Sequence, residues 1–106
     1  MARERIACLG AGRMGRGIAV VFAYAGHPVT IVDFKPRAAG AFVRLAAEAR
    51  EEVRGTLTSL ARLGLFDESK VADIAARVAV VPVSDAQAAL STASVIFEGL
   101  PEVLEL

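Results

Sequence analysis

An α/β fold built on a doubly wound parallel sheet is the architecture this sequence predicts, and two observations carry the prediction. Short apolar, β-branched runs alternate along the chain with longer stretches of helical period. A glycine-rich turn joins the first of these runs directly to the first helical stretch. Strands separated by helices pair in parallel through right-handed crossovers, which gives the expected strand order 3-2-1-4.

The elements follow in chain order. Ile6-Ala7-Cys8-Leu9 is a first strand buried on both faces and stopped by Gly10-Ala11-Gly12. From Met14 to Ala25 the large apolar residues Ile18, Val21, Phe22 and Ala25 recur every three or four positions, so they are expected on one helical face, with Gly26 as the left-handed stop. His27-Pro28 turns the chain into a second strand, Val29-Thr30-Ile31-Val32, that ends at Asp33. Pro36 suits the first turn of a long helix bearing Phe42, Leu45, Ala49, Val53, Leu57 and Leu60, with Gly55 as a soft point and Gly64 as its end. Asp67 is expected to cap a short helix with Val71, Ile74 and Ala75, before a third buried strand, Val78-Ala79-Val80-Val81. Ser84 is expected to cap one more helix, carrying Ala86, Ala89 and Leu90, and Val95-Ile96-Phe97 forms a fourth strand ending at Glu98.

The chain of 106 residues has the size of one domain, and its 55% hydrophobic residues exclude disorder. Because 12 Lys+Arg balance 12 Asp+Glu, there is no electrostatic reason to expect nucleic acid or an anionic membrane as partner. A single cysteine, Cys8, rules out an internal disulfide framework and a cysteine-based zinc cluster, and no metal site is expected. The lone cysteine fits a reducing, cytoplasmic setting, and with no signal-peptide core or membrane span apparent a soluble protein is expected. A doubly wound sheet normally continues past its fourth strand, so residues 1–106 are expected to be one incomplete domain of a longer protein, the fold being truncated after strand four.

Gly10-Ala11-Gly12-Arg13-Met14-Gly15 reads G-x-G-x-x-G at the end of a strand and the start of a helix, the fingerprint of a Rossmann-type dinucleotide site. Gly10 serves the tight turn, Gly12 leaves room for a pyrophosphate against the backbone, and Gly15 lets the helix pack on the strand. The phosphates then meet the helix N-terminus, including the N–H groups of Arg13 and Met14. Asp33 lies eighteen residues beyond Gly15 at the end of the second strand, where a carboxylate accepts hydrogen bonds from both adenosine ribose hydroxyls. That favours NAD. Asp33 repels a 2′-phosphate, though Lys35 and Arg37 follow closely and offset part of that repulsion. The fingerprint by itself specifies a dinucleotide rather than a reaction, and an FAD-dependent oxidoreductase or a non-catalytic NAD(H)-sensing module stays open on these residues alone. His27, the only histidine, starts the second strand and therefore stands at the wrong edge for catalysis. Cys8 is expected in the core, and Arg16 on a solvated helix face.

The run Gly10 to Ala19, with Val21-Phe22-Ala23 and Ala25-Gly26-His27, resembles the 3-hydroxyacyl-CoA dehydrogenase family. The resemblance extends to Phe97 through Leu106, which is similar to that family's E-x-x-P-E-x-L-x-L-K segment. It implies the N-terminal NAD-binding domain of an enzyme that oxidises a 3-hydroxyl to a ketone, usually on an acyl-CoA. On that resemblance Gly10, Ala11, Gly12, Arg13, Met14 and Gly15 form the phosphate loop, Asp33 holds the ribose and Glu102 contacts the cofactor. The family's lysine, serine, histidine base, glutamate and asparagine, and the helical domain that usually forms a homodimer, would follow Leu106. No catalytic residue is therefore expected within this chain, and residues 1–106 alone are expected to be inactive. Two departures stand out: Val103 replaces a common asparagine, and Leu63-Gly64-Leu65 replaces a lysine-bearing K-G-K turn that faces the CoA phosphates. The second brings in relatives that act on small 3-hydroxy acids, of the gulonate, carnitine or diketo-ester type.

Overall fold

In the computed structural model, which describes residues 3–98, four strands of four residues each form one parallel sheet. They are β1 (Ile6–Leu9), β2 (Val29–Val32), β3 (Val78–Val81) and β4 (Val95–Glu98), in the order β3-β2-β1-β4. The register pairs Ile6 with Val29 and Val95, and Val29 with Val78, so all four carboxyl ends meet at one edge. The helices are α1 (Arg13–Tyr24), α2 (Ala39–Arg62), α3 (Val71–Ala75) and α4 (Ala86–Thr92). This is the Rossmann-type architecture expected. None of these helices is long and apolar enough to cross a membrane.

Alternation along the strands divides the core in two. Ile6 and Cys8, Val29 and Ile31, and Val78 and Val80 face α1, α2 and α3. Leu9 and Val32 face the other way, towards Ala86, Ala89 and Leu90 of α4. The crossovers from β1 to β2 and from β2 to β3 lie on one side of the sheet and the return to β4 lies on the other, as handedness requires. Because α4 has only seven residues, it cannot cover the whole second face. Ala79 is therefore exposed in β3 and Ile96 in β4, correcting the expectation that β3 is buried throughout.

Four local expectations meet a different outcome. The buried face of α1 consists of Gly15, Arg16, Ala19, Val20 and Ala23, whereas Val21 and Ala25 are exposed. Small residues allow α1 to sit close to β1, so the helical period holds while the buried face turns towards Gly15, Ala19 and Ala23. Helix α2 begins at Ala39 rather than at Pro36. The Asp33 carboxylate accepts from the Lys35 N–H and from the Arg37 side chain, which holds residues 33–37 in a turn and delays the helix. Ser84 sits inside a short 3₁₀ turn, Val83–Asp85, and does not cap α4. Gly55 leaves α2 unbroken.

Other local signals hold. Gly10, Gly26 and Gly64 have φ of 107°, 103° and 93°, the left-handed region that disfavours side chains. Asp67 accepts the Ser69 N–H at 2.9 Å ahead of the 3₁₀ turn Glu68–Lys70 that leads into α3. That backbone donor pulls its carboxyl below the usual range.

Candidate functional site

The glycine loop leaves β1 at Gly10, whose N–H donates to the Val32 carbonyl at 2.8 Å and so ties the loop to the end of β2. Helix α1 starts after Gly12, and its first hydrogen bond runs from the Arg16 N–H to the Gly12 carbonyl at 3.1 Å. The N–H groups of Arg13, Met14 and Gly15 have no acceptor among the described residues. Helix starts usually carry a side-chain cap or an acid in the first turn. This one has neither. Among the described residues the positive end of α1 is therefore uncompensated and open to an anion.

The glycines of the fingerprint separate by what surrounds them. A Cβ on Gly15 would run into the Gly10 carbonyl oxygen, with the Cys8 Cβ also within reach, so Gly15 serves internal packing. A Cβ on Gly12 would meet nothing within 4 Å, and φ there is an ordinary −80°. Neither backbone conformation nor internal crowding requires glycine at position 12. The space over it is open, as a group lying against the backbone from outside needs, and a dinucleotide's pyrophosphate fits this cradle.

Asp33 follows β2 at the same edge, its N–H bonded to the Val81 carbonyl at 2.9 Å. Its side chain is 3% exposed, and Oδ2 accepts from Arg37 Nε at 2.5 Å. Register brings the ends of β1 and β2 side by side, Leu9 opposite Val32, so the glycine loop and Asp33 lie next to each other. Ala11 is buried, and Arg13 and Met14 are exposed on the first turn of α1. Glu102 lies outside the described residues.

Arg16 departs most from expectation. It is 9% exposed instead of solvated. Its Nε donates to the Ala11 carbonyl at 2.9 Å, and its Nη1 lies 2.8 Å from Glu52 and 3.2 Å from Glu48 on α2. Burial alone would lower its pKa, but the hydrogen bonds to Glu52 and Glu48 outweigh that and hold it above the ordinary arginine value. The signal was present in the sequence. Arg16 shares the three- and four-residue spacing of Ala19, Val20 and Ala23, while Glu48 and Glu52 stand one helical turn apart.

His27 precedes β2 at the amino edge, with its N–H on the Phe22 carbonyl and its ring 6.1 Å from that of Phe22. A four-residue strand spans about 13 Å, which keeps it away from the carboxyl edge. Cys8 is fully buried in β1, and burial pushes its thiol pKa up to about 11. We therefore expect no labelling by an aromatic disulfide reagent at mildly alkaline pH while the chain is folded, and prompt labelling once it is unfolded in urea. Fast labelling of folded protein would contradict this placement.

Residues 5–106 match the family model described as the NAD binding domain of 3-hydroxyacyl-CoA dehydrogenase. No curated protein sequence matches the chain. Among solved structures it is similar to a 3-hydroxybutyryl-CoA dehydrogenase from Escherichia coli K12, with TM-score 0.73 and 27% identity over 98% of this chain and 20% of that one. FadB2 of M. tuberculosis gives TM-score 0.75 and 25% identity over 97% of this chain and 33% of its own. The (S)-3-hydroxybutyryl-CoA dehydrogenase PaaH1 of Ralstonia eutropha, at 24% identity and TM-score 0.75, shares the fold over 96% of this chain and 32% of its own. The chain thus spans a third or less of each of these proteins.

Proposed function

Since the chain belongs to the family of 3-hydroxyacyl-CoA dehydrogenase NAD-binding domains, with NAD as its cofactor, we propose that residues 1–106 form the cofactor-binding part of an enzyme that oxidises a 3-hydroxyacyl-CoA to the 3-ketoacyl-CoA. The observation that carries the site assignment is the open space over Gly12 beside the N–H groups of Arg13, Met14 and Gly15, which have no acceptor among the described residues. Gly10 and Ala11 shape the turn, Gly15 seats the helix, and the backbone from Gly12 to Gly15 receives the pyrophosphate. Asp33 takes the adenosine ribose hydroxyls. Glu102 is assigned a further cofactor contact on the resemblance of its segment. The bound nicotinamide supplies the hydride acceptor. The proton acceptor for the substrate hydroxyl comes from the rest of the protein, since the chain's one histidine stands at the amino edge. The whole protein is then a cytoplasmic homodimer, and residues 1–106 alone turn over no substrate.

A second substrate class, small 3-hydroxy acids, has one observation in its favour. The turn after α2 presents Leu63 and Leu65, 78% and 55% exposed, where a CoA phosphate calls for lysines, and the adjacent Arg62 is paired with Glu68. Assay of the whole protein with a short 3-hydroxyacyl-CoA and with the matching free acid decides between the two.

The cofactor assignment is tested by titrating the chain with NADH, by calorimetry or by fluorescence of the reduced nicotinamide. Asp33→Ala is expected to weaken NADH by about tenfold or more, the loss of charge-assisted hydrogen bonds to the ribose. An Asp33→Ala chain that is folded and binds NADH as well as wild type removes Asp33 from the site.

A further inference from the structure

We propose that Arg37 sets how far the chain discriminates NAD(H) from NADP(H), by partly neutralising Asp33 and offering a cation to a 2′-phosphate. The inference rests on the reading of Asp33 as the ribose carboxylate. A bare carboxylate at that position rejects a 2′-phosphate twice over, by charge and by offering acceptors to a group that is itself all acceptor. Here the carboxylate is not bare. Arg37 Nε lies 2.5 Å from Oδ2, and the Lys35 N–H lies 3.4 Å from Oδ1.

The exposures show which partner faces outwards. The Asp33 side chain is 3% exposed and that of Arg37 is 30% exposed, so the arginine is the more accessible member of the pair. A guanidinium carries five N–H donors. Among the described residues only Nε is engaged and neither Nη group has an acceptor. Lys35, exposed in the same turn, adds a second cation, so residues 33–37 carry two positive charges against one negative. A phosphate on the ribose 2′ position meets a cation already held in place. For NAD(H) the same arginine has the opposite effect, because it competes with the ribose hydroxyls for Oδ2.

The test compares dissociation constants for NADH and NADPH in the full chain: wild type, Arg37→Gln, Arg37→Lys and Asp33→Asn. Arg37→Gln is expected to weaken NADPH by about tenfold and to leave NADH unchanged or tighter, widening the NADPH-to-NADH ratio of constants by about tenfold. Arg37→Lys keeps the charge but loses the fork that holds Asp33 and a phosphate together, and its ratio is expected to fall between those of wild type and Arg37→Gln. NADPH binding should also fall more steeply with added salt in wild type than in Arg37→Gln. A ratio that widens less than about threefold in Arg37→Gln overturns the proposal. Asp33→Asn separates this failure from that of the underlying reading. If Asp33→Asn weakens NADH while Arg37→Gln leaves the ratio alone, Asp33 holds the ribose and Arg37 has no part in specificity. If Asp33→Asn leaves NADH unchanged, or wild type binds neither nucleotide, the ribose reading fails and this proposal with it.

Discussion

Three alanine substitutions within the first six residues around the start of α1 are expected to give three different results. Gly15→Ala should destabilise the fold by about 2–3 kcal/mol and Gly15→Val by more, both with loss of NADH binding. The new Cβ meets the Gly10 carbonyl oxygen, which is backbone, so β1 and α1 must separate instead of a side chain swinging aside. Alanine in a helix gains up to about 1 kcal/mol over glycine, too little to offset that overlap. Gly17→Ala, two residues along the same helix with nothing within 4 Å, should realise that gain and stabilise the chain. Gly12→Ala should leave stability within about 0.5 kcal/mol of wild type while weakening NADH by at least about tenfold, because the space it fills lies outside the protein. Urea midpoints with parallel NADH titrations check all three. If Gly15→Ala and Gly17→Ala shift the midpoint the same way, the packing role of Gly15 is wrong. If Gly12→Ala binds NADH normally, the cradle is not where the pyrophosphate lies.

These contrasts also mark how far the sequence was legible. The strand–glycine–helix succession from Ile6 to Gly15 made β1, α1 and the two glycines that the fold itself uses legible, Gly10 through its positive φ and Gly15 through its approach to the Gly10 carbonyl. The carboxyl edge was legible too: parallel pairing through helical crossovers brings Gly10 and Asp33 together whatever the side chains between them do. What periodicity could not supply was phase where small residues form the contact. In α1 the eye goes to Val21 and Ala25, yet close approach to β1 selects Gly15, Ala19 and Ala23. The start of α2, at Ala39, is hidden from the sequence for a different reason. Pro36 is compatible with a first helical turn, but the Asp33 carboxylate bonds within its own turn, and that competition depends on two side chains meeting in space.

Arg16 is the charged counterpart of the small-residue face, and reversing its charge is expected to have a large electrostatic effect. Arg16→Glu should cost about 3–5 kcal/mol, since it places a carboxylate in a buried position facing Glu48 and Glu52 in place of the cation they pair with. Arg16→Met should cost less, about 1–2 kcal/mol: Glu48 and Glu52 are 71% and 42% exposed and return to water, leaving mainly the Ala11 carbonyl without its donor. The swap Arg16→Glu with Glu52→Arg should recover at least about 1 kcal/mol of the single-mutant loss, the coupling expected of groups in contact. It should not recover cofactor binding to the same extent. A trans peptide directs its N–H opposite its carbonyl, so Arg16, by holding the Ala11 carbonyl, fixes where the Gly12 N–H points, and glutamate offers that carbonyl no donor. Stability restored with NADH affinity still weakened would therefore identify Arg16 as a positioning residue for the phosphate loop. Full recovery of both would confine it to clamping α2 against α1, and failure of the swap to recover any stability would show that the ion pairs do not hold the two helices together.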